Sequence, residues 1–416
     1  MKITKTFLII SQVYIPDPAS VGQHMADAAA ELVRRGYRVV VYTSARGYED
    51  PSIKYPARET LRGVNVLRLP FSSFGKSSIA VRLLAQWLFV FQAILRGLFT
   101  RRLVGVLVST SPPFCGFAGA IIGKLRRVPV KYWLMDLNPD QMIALGKARP
   151  GSLQVRAFEM LNRIILRQAS DIVVMDRFML ARVREKGVPV DAKTHVLPPW
   201  PHEPEVHDLP HEQNEFREKH GLQGKFVVMY SGNHSLANPL STLLDAAERL
   251  KNEHKLVFMF IGGGSGKQEV EEQIARDATN LRSLPYQPLH QIKYSLSAAD
   301  VHVVSIGDDV VGIVHPCKVY GAMSVSRPIL LLGPEQCHVS DLIIEHSIGW
   351  RIQHGDVEGA VTTLRKALAT PPEILHEMGL RAGAAVSSSL SYKSLTSKFG
   401  DVLERGIGTT RALPCA

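Results

Sequence analysis

Glycine-rich turns follow three of the apolar segments that the sequence predicts to be β-strands. The first turn ends in Gly22, Gln23 and His24, the second is residues 231–234 (SGNH), and the third is residues 262–267 (GGGSGK). Glycine lets the backbone approach a ligand closely, and backbone N–H groups at the carboxyl ends of parallel strands favour anions. Together the three turns predict a cleft that binds a phosphorylated ligand.

The run GGGSGK matches neither of two well-known nucleotide-binding motifs. A Walker A loop needs a glycine where Ile261 stands and a serine or threonine where Gln268 stands. The dinucleotide motif fails because Lys267 occupies the place of its third glycine. Taken alone, this run could also be a tight turn between a strand and a helix.

A lysine occupies the predicted first turn of a short helix within residues 312–323 (GIVHPCKVYGAM). Pro316 favours the start of a helix. A lysine so close to a helix N-terminus opposes the helix dipole unless an anion joins it. We therefore expect Lys318 to contact a phosphate, with a solvated surface lysine as the alternative.

Two side chains of the N-terminal half could position a hydroxyl group and accept its proton. Asp136 follows a predicted strand over residues 130–135, and His24 lies in the first glycine turn. A carboxylate or an imidazole can act as a general base, although Asp136 could instead cap the next turn and His24 could simply begin a helix. Asp136 and Asp140 do not form an Asp-x-Asp motif, and we expect no essential metal.

Apolar segments alternate with helical patterns in both halves of the chain. This alternation predicts an α/β protein with two tandem Rossmann-like domains that face a central cleft. Between the halves lies a segment rich in proline, histidine and acidic residues, which indicates a linker. The expected divisions are an N-terminal domain over residues 1–200, a linker over 201–214, a C-terminal domain over 215–387, and a helix and tail over 388–416 that cross back to the N-terminal domain.

The composition is that of an ordinary globular protein. The 416 residues carry a net charge of +11, and the basic excess lies in residues 1–200. Such a half can serve anionic lipid, phosphorylated ligands or nucleic acid, but the arginines follow no nucleic-acid-binding motif. The four cysteines show no disulfide or zinc spacing, which favours a reducing compartment.

One apolar segment could contact a membrane. Residues 83–95 (LLAQWLFVFQAIL) are too few to span a bilayer. Their aromatic residues precede Arg96, Arg101 and Arg102, a pattern typical of an interfacial helix whose arginines meet lipid headgroups. Burial in the N-terminal core explains the apolar part equally well. The first eleven residues lack a signal-peptide cleavage site and predict a strand, so we expect a cytoplasmic protein at the inner face of the plasma membrane.

The C-terminal motifs carry a family resemblance. They are, in order, YSGN (230–233), IGGG (261–264), PYQP (285–288), AADVHVV (298–304) and HPCKVYGAM (315–323) followed by RPIL (327–330). In this order and spacing the chain resembles family 4 retaining glycosyltransferases, and especially bacterial exopolysaccharide, colanic-acid and O-antigen enzymes. The resemblance covers nearly the whole chain and implies the GT-B fold, with the nucleotide sugar bound by the C-terminal domain and the acceptor by the N-terminal one.

The resemblance assigns roles to the motif residues. It implies that Gly232 and Asn233, with Gly263 and Gly264 of the next turn, line the donor phosphates and that Lys318 neutralises the pyrophosphate. Tyr286 and Gln287 would border the base, and the turn of Gly22 and Gln23 would face the sugar and the acceptor. The family's two glutamates are replaced by Ile313 and Gly321, so that Tyr320, His315 or Asp308 and Asp309 would have to hold the hydroxyl groups.

We therefore expect a hexosyltransferase-like enzyme of cell-surface polysaccharide or lipopolysaccharide biosynthesis. Its substrates would be a nucleotide sugar and a lipid-linked or saccharide acceptor, its partner an anionic membrane surface and not nucleic acid, and it would need no cofactor. Two alternatives remain open at this point. One is a sugar-nucleotide epimerase with the same fold, and the other is a non-catalytic sugar-nucleotide-binding protein that has lost the glutamates.

Overall fold

The chain divides into two units, each organised around its own β-sheet. The computed structural model describes residues 5–17, 19–47, 50–72, 79–201, 209–276 and 279–407. Unit 1 consists of Met1–Pro199 together with Leu395–Ala416, and unit 2 consists of Trp200–Ser394. The two-domain α/β architecture predicted from the alternating pattern is confirmed.

Unit 1 is organised by one eight-stranded sheet. Its strands are β1 (Thr6–Ile10), β2 (Arg38–Ser44), β3 (Arg58–Leu61), β4 (Val64–Leu69), β5 (Leu103–Ser109), β6 (Val130–Trp133), β7 (Asp171–Val174) and β8 (Thr194–Val196). Their order is β3-β4-β2-β1-β5-β6-β7-β8, and the pairs are parallel except β3 with β4. The central strands are almost continuously apolar because both of their faces are buried.

The helices of unit 1 connect these strands. They are α1 (Ser20–Arg34), α2 (Ile79–Leu98), α3 (Cys115–Arg126), α4 (Asp140–Ala144), α5 (Leu153–Gln168) and α6 (Arg177–Arg184). One face of α2 is buried through Ala85, Phe89, Val90 and Ala93, as the predicted core position requires. Its other face is exposed. Among the described residues, no helix has both the length and the hydropathy that crossing a membrane requires.

Unit 2 repeats this architecture around a six-stranded parallel sheet. Its strands are β9 (Phe226–Ser231), β10 (Leu256–Ile261), β11 (Leu281–Leu284), β12 (Val301–Ser305), β13 (Ile329–Leu332) and β14 (Gly349–Ile352). Its helices are α7 (Glu215–Lys219), α8 (Ser241–Arg249), α9 (Lys267–Ala275), α10 (Ile292–Ser297), α11 (Lys318–Ser324), α12 (His338–His346), α13 (Val357–Ala369) and α14 (Pro372–Ser387). The strand order is β11-β10-β9-β12-β13-β14.

The last helix, α15 (Tyr392–Glu404), returns to unit 1. Arg35 at the end of α1 binds both Glu31 of its own helix and Glu404 of α15. The rings of Trp133 and Phe399 lie 4.3 Å apart, measured between centroids. The predicted crossing of the terminal helix to the N-terminal domain is therefore confirmed by charged and aromatic contacts.

Three strands were not predicted. β3 (RETL), β11 (LRSL) and β14 (GWRI) lie at or near sheet edges and lack a continuous apolar run. An edge strand can alternate polar and apolar residues because one of its sides faces solvent. Residues 202–208 of the predicted linker, and Cys415, lie outside the described residues.

Candidate active site

Each sheet reverses its strand order at one place, and ligands of open α/β sheets bind beside such reversals. In unit 2 the reversal lies between β9 and β12, which are neighbours in the sheet although β10 and β11 separate them in sequence. In unit 1 it lies between β1 and β5. The predicted site residues follow these strands or their neighbours, so the topology places them at the carboxyl edges of the two sheets.

The two glycine turns of unit 2 interlock through their backbones. The N–H of Gly232 donates to the carbonyl of Ile261 at 2.9 Å, and the N–H of His234 donates to that of Gly263 at 2.7 Å. Gly232, Gly262 and Gly264 have φ angles of +132°, +129° and +122°, which side-chain-bearing residues rarely adopt. A Cβ atom on Gly262 would overlap the carbonyl of Gly232. A Cβ atom on Gly264 would likewise overlap the carbonyl of His234, so Gly262 and Gly264 are required for the contact between the turns.

Lys318 begins α11 and lies against the first of these turns. A Cβ atom on Gly232 would stand only 2.5 Å from the Lys318 Cε, so the glycine makes room for the lysine. The Nζ of Lys318 lies 4.9 Å from the centre of the Tyr230 ring. Burial lowers the pKa of Lys318 to about 8. Among the described residues no carboxylate forms an ion pair with it, and the face of the Tyr230 ring lies close to its charge.

The lysine of the GGGSGK run has a different environment. The Nζ of Lys267 donates to the carbonyls of Gly262 at 2.5 Å and Leu284 at 2.6 Å. These bonds turn the side chain back onto the ends of β10 and β11. Lys267 therefore stabilises the turn, which agrees with the rejection of an ATP-binding loop.

The side chains of Tyr286 and Gln287 follow β11 and point to different partners. The ring of Tyr286 is 52% exposed and lies 3.2 Å from the position that a Cβ atom on Gly263 would take. The amide of Gln287 donates to the carbonyl of Pro285 at 2.9 Å. The structure thus brings Tyr286, but not the Gln287 side chain, into contact with the glycine turns.

Tyr320 is held between two histidines. Its hydroxyl lies 2.8 Å from the Nε2 of His315 and 2.8 Å from the Nε2 of His338, while the residue is 1% exposed. A hydroxyl can donate to one imidazole and accept from the other, so the three side chains form one polar chain. His338 was not predicted. It begins α12 directly after β13, and its place at the carboxyl edge of the sheet is the signal that could have found it.

His234 is a second histidine that the sequence did not single out. It is 1% exposed, and neither of its ring nitrogens has a hydrogen-bond partner among the described residues. Burial, with a contribution from the nearby charge of Lys267, lowers the pKa of His234 to about 4. The imidazole is therefore neutral at physiological pH. The backbone of His234, rather than its side chain, joins the two turns.

The first glycine turn of unit 1 is built into α1. A Cβ atom on Gly22 would lie 3.1 Å from the Cα of Tyr14, so a glycine permits the helix to pack on the preceding loop. Gln23 follows in a half-buried position. His24 is only 3% exposed, and its Nδ1 lies 2.9 Å from the carbonyl of Ser20. The imidazole thus contacts its own helix.

Asp136 lies just beyond β6, in a largely buried position. Burial raises the pKa of its carboxyl group to about 6. Among the described residues that carboxyl group has no hydrogen bond or ion pair, whereas the backbone N–H of Asp136 donates to the Thr110 hydroxyl at 3.2 Å. Asp136 borders a cavity of about 10 Å³ together with Tyr132 and Asn162, which is room for about one water molecule.

Asp140, by contrast, is part of an ion pair. Its carboxylate accepts from the Nζ of Lys186 at 2.6 Å, and the same lysine also contacts Glu159. Within the described part of the chain, no group of three or more histidine, cysteine or acidic residues is suited to hold a metal ion.

These features define a class of protein. Two units built on largely parallel sheets have loops at their carboxyl edges. Unit 2 has interlocked glycine turns beside a lysine that forms no ion pair with any described carboxylate. The same fold occurs in the lipopolysaccharide-biosynthesis glycosyltransferase WaaG, with a TM-score of 0.72 at 15% identity over 96% of this chain and 100% of WaaG. Anabaena HepE in complex with UDP-glucose gives a TM-score of 0.69 at 15% identity over 96% and 99%. The fold is therefore GT-B.

Sequence comparison identifies the family. Residues 20–200 match a glycosyl transferase 4-like domain, and residues 212–383 match glycosyl transferases group 1. WbjE of Pseudomonas aeruginosa, named a probable glycosyltransferase, is 30% identical over 53% of this chain and 55% of its own length. WcaI of Escherichia coli K12, named for colanic acid biosynthesis and glycosyl transfer, is 24% identical over 86% of this chain and 91% of its own. The chain is therefore a glycosyltransferase, with a glycosyl transferase 4-like domain followed by a glycosyl transferases group 1 domain.

Proposed function

We propose that this glycosyltransferase moves a sugar from a nucleotide-sugar donor to a lipid-linked or saccharide acceptor during cell-surface polysaccharide assembly, with retention of the anomeric configuration. Lys318 carries the donor part of the proposal, because it is a partly buried cation with no carboxylate partner among the described residues. The diphosphate of a nucleotide sugar supplies the missing anion. HepE, whose crystal structure contains UDP-glucose, and WcaI, named for colanic acid biosynthesis, support this choice of substrates. Retention rests on the resemblance to family 4.

The transfer breaks the bond between the sugar C1 and the diphosphate oxygen, which leaves with the bonding electrons. Lys318 and the backbone N–H groups near Gly232 and Gly264 stabilise the charge that develops on this leaving group. Because these groups are fixed by the interlocked turns, they need little reorganisation during the reaction. Tyr286, whose ring is exposed beside Gly263, borders the base of the donor. His315, oriented by its hydrogen bond to the buried Tyr320, holds a hydroxyl group of the ribose or of the sugar. The protein supplies these contacts without a cofactor or an essential metal.

Asp136 positions the acceptor hydroxyl and receives its proton as the new bond to C1 forms. With a pKa of about 6, its carboxyl group is mostly ionised near pH 7 and is a stronger base than an ordinary aspartate. Its carboxyl group has no partner among the described residues, whereas His24 contacts the carbonyl of Ser20. These environments favour Asp136 over His24 for this role.

Ligand-induced thermal stabilisation tests the donor site. A ligand that binds only the native state raises the melting temperature by mass action. We expect one nucleoside diphosphate and its sugars to raise the Tm selectively, which identifies the base of the donor. No change with any sugar nucleotide at saturating concentrations would contradict the proposal.

A non-catalytic sugar-nucleotide-binding protein is the second candidate. One observation favours it: Ile313 and Gly321 stand where the resembled family has glutamates. The two candidates differ in turnover. Binding of a sugar nucleotide without transfer to any of a broad set of lipid-linked and saccharide acceptors would identify the second.

We further propose that unit 1 binds the inner face of the plasma membrane through the exposed face of α2. Leu84, Trp87, Phe91 and Leu95 are 56%, 45%, 63% and 49% exposed and follow the three- and four-residue spacing of one helix face. Each large apolar side chain that leaves water contributes about 1.5–3 kcal/mol. Arg96, Arg101 and Arg102, also exposed, supply the attraction to anionic lipid.

Vesicle co-sedimentation tests this surface. We expect Phe91→Glu to weaken binding to phosphatidylglycerol vesicles about tenfold or more, because it removes apolar burial and adds a charge that anionic lipid repels. Leu380→Glu is the matched control, since Leu380 is a 46% exposed leucine on α14 of unit 2. Equal binding by both variants would contradict the membrane proposal and leave the donor site unaffected.

A further inference from the structure

A pocket of about 550 Å³ lies at the amino-terminal edge of the unit 1 sheet. Its lining comes from the segments that precede β6, β7 and β8 and from the end of α15, including Arg127, Ser170, Ala192 and Arg405. Asp136 and the Gly22 turn follow strands of the same sheet and therefore lie at its opposite, carboxyl edge. The pocket is thus separate from the proposed acceptor site, and its volume is within the range of small-molecule sites.

The pocket has more positive charge than its own acidic groups balance. Lys124, Arg127 and Arg405 line it, and Asp171 is the acidic residue among its described lining residues. The carboxylate of Asp171 is already bound, by the fully buried Lys131 at 2.6 Å, by His195 at 2.9 Å and by Arg405 at 3.0 Å. Burial raises the pKa of Asp171, but the hydrogen bonds from Lys131 and His195 outweigh it and hold that pKa below its ordinary value.

Two of the lining cations have no internal counter-ion. In the part of the chain that the structure describes, the side chains of Lys124 and Arg127 form no hydrogen bond and no ion pair, and both are exposed to the pocket and to solvent. Arg405 uses its Nε for Asp171, and its side chain is 57% exposed. Cations held near one another repel unless an anion lies between them.

The backbone of Arg127 gives an independent reason to look for a ligand. Arg127 caps α3 in the left-handed conformation, with φ +54° and ψ +45°. Glycine is the usual residue at this position because any Cβ atom makes the conformation costly. An arginine occupies this position despite that cost, which motivates a role for its side chain.

We propose that this pocket binds a phosphate group, held by Lys124, Arg127 and the outer nitrogens of Arg405. Arginine forks and lysine ammonium groups are the ordinary protein partners of phosphate. The phosphate group belongs either to a free phosphorylated molecule or to the headgroup of a membrane lipid. In both cases it binds at the edge of unit 1 opposite the proposed acceptor site.

The test uses the full chain carrying Lys318→Ala and Phe91→Glu, so that neither the proposed donor site nor the proposed membrane surface of α2 contributes. Calorimetric titration with inorganic phosphate measures the free-anion source, and co-sedimentation with phosphatidylglycerol vesicles, with and without competing phosphate, measures the lipid source. We expect Arg127→Gly to weaken whichever binding occurs by about tenfold or more, since a charge-assisted hydrogen bond is lost. The same change is expected to raise the Tm without phosphate, because glycine adopts the left-handed conformation at less cost.

Arg62→Gly is the matched control. Arg62 also has a positive φ, of +48°, but it lies in the turn between β3 and β4, where it binds Asp27. This variant is expected to keep the phosphate or vesicle affinity of its parent. The proposal is overturned if the parent binds neither probe, or if Arg127→Gly and Arg62→Gly bind both probes with equal affinity.

Discussion

Replacing Lys318 by methionine should weaken donor binding and stabilise the ligand-free protein at the same time. Methionine keeps most of the apolar stem that lies against Gly232 and removes the charge. Charge-assisted hydrogen bonds contribute about 1.5–3 kcal/mol, so the Kd for the nucleoside diphosphate should rise about 10- to 150-fold. This magnitude assumes that Lys318 makes one such bond to the diphosphate.

The stability effect follows from the pKa of Lys318. Burial lowers that pKa from 10.5 to about 8, and a tenfold change in proton affinity between the unfolded and folded chains corresponds to about 1.4 kcal/mol. The folded state therefore carries a cost on the order of 3 kcal/mol below pH 8 for keeping this lysine charged. Because the unfolded chain binds the extra proton between pH 8 and 10.5, that cost is relieved as the pH rises through this interval. Lys318→Met should remove most of the cost at pH 7 and remove this part of the pH dependence.

Two measurements check this reasoning. Calorimetric titration gives the Kd for the nucleoside diphosphate that stabilises the wild type, and denaturant unfolding at pH 7 and pH 10 gives the free energy of unfolding. For the wild type the affinity should also fall above pH 8, as Lys318 loses its proton. Lys293→Met is the matched control, because the Lys293 ammonium also lies 4.9 Å from a tyrosine ring, that of Tyr294, but on α10. An unchanged Kd and an unchanged unfolding free energy for Lys318→Met would refute the reasoning.

Three further changes have distinct expected outcomes. Asp136→Asn should lower kcat about 10²- to 10⁴-fold, with little effect on the donor Kd. It should also abolish the fall in rate below about pH 6; an unchanged pH–rate profile would exclude Asp136 as the general base. Tyr320→Phe leaves His315 and His338 without their shared hydroxyl, so the free energy of unfolding, measured with denaturant, should fall by about 1–3 kcal/mol. Equal stability of the variant and the wild type would show that this polar chain is not needed for folding. Gly262→Ala should reduce both stability and donor affinity, because its Cβ atom overlaps the carbonyl of Gly232; a variant with normal melting would contradict the interlocked turns.

Most of the fold could be predicted because buried parallel strands appear in the sequence as continuous apolar runs. β9, β10 and β12 were placed to within a residue for this reason. β3 was not predicted because its residues alternate between exposed and partly buried positions and include Arg58 and Glu59. Its pairing is fixed by contact with β4, and a pairing partner is not visible in a four-residue segment.

The candidate site was predictable in its location and less so in its contacts. Glycines after parallel strands indicated the turns correctly, but their necessity comes from the contact between Gly232 and Gly262, which are thirty positions apart in sequence. Lys267 and Lys318 both begin helices beside these turns. Only the three-dimensional structure shows that Lys267 binds carbonyl groups, whereas Lys318 has no carboxylate partner within the described part of the chain. His338 joins Tyr320 through tertiary folding, so the spacing of the motif residues contained no sign of it.

The return of α15 to unit 1 has a consequence for how the chain is made. Unit 1 is completed by Phe399, Glu404 and the Arg405 carbonyl, which bind Trp133, Arg35 and Lys131. During synthesis these partners leave the ribosome only after all of unit 2 has been translated. Until then, Lys131 and Trp133 of the nascent N-terminal unit lack the partners that cover them in the folded protein. Unit 2, in contrast, has its whole sequence in one continuous stretch. Premature termination after residue 394 would thus damage the first unit made rather than the last.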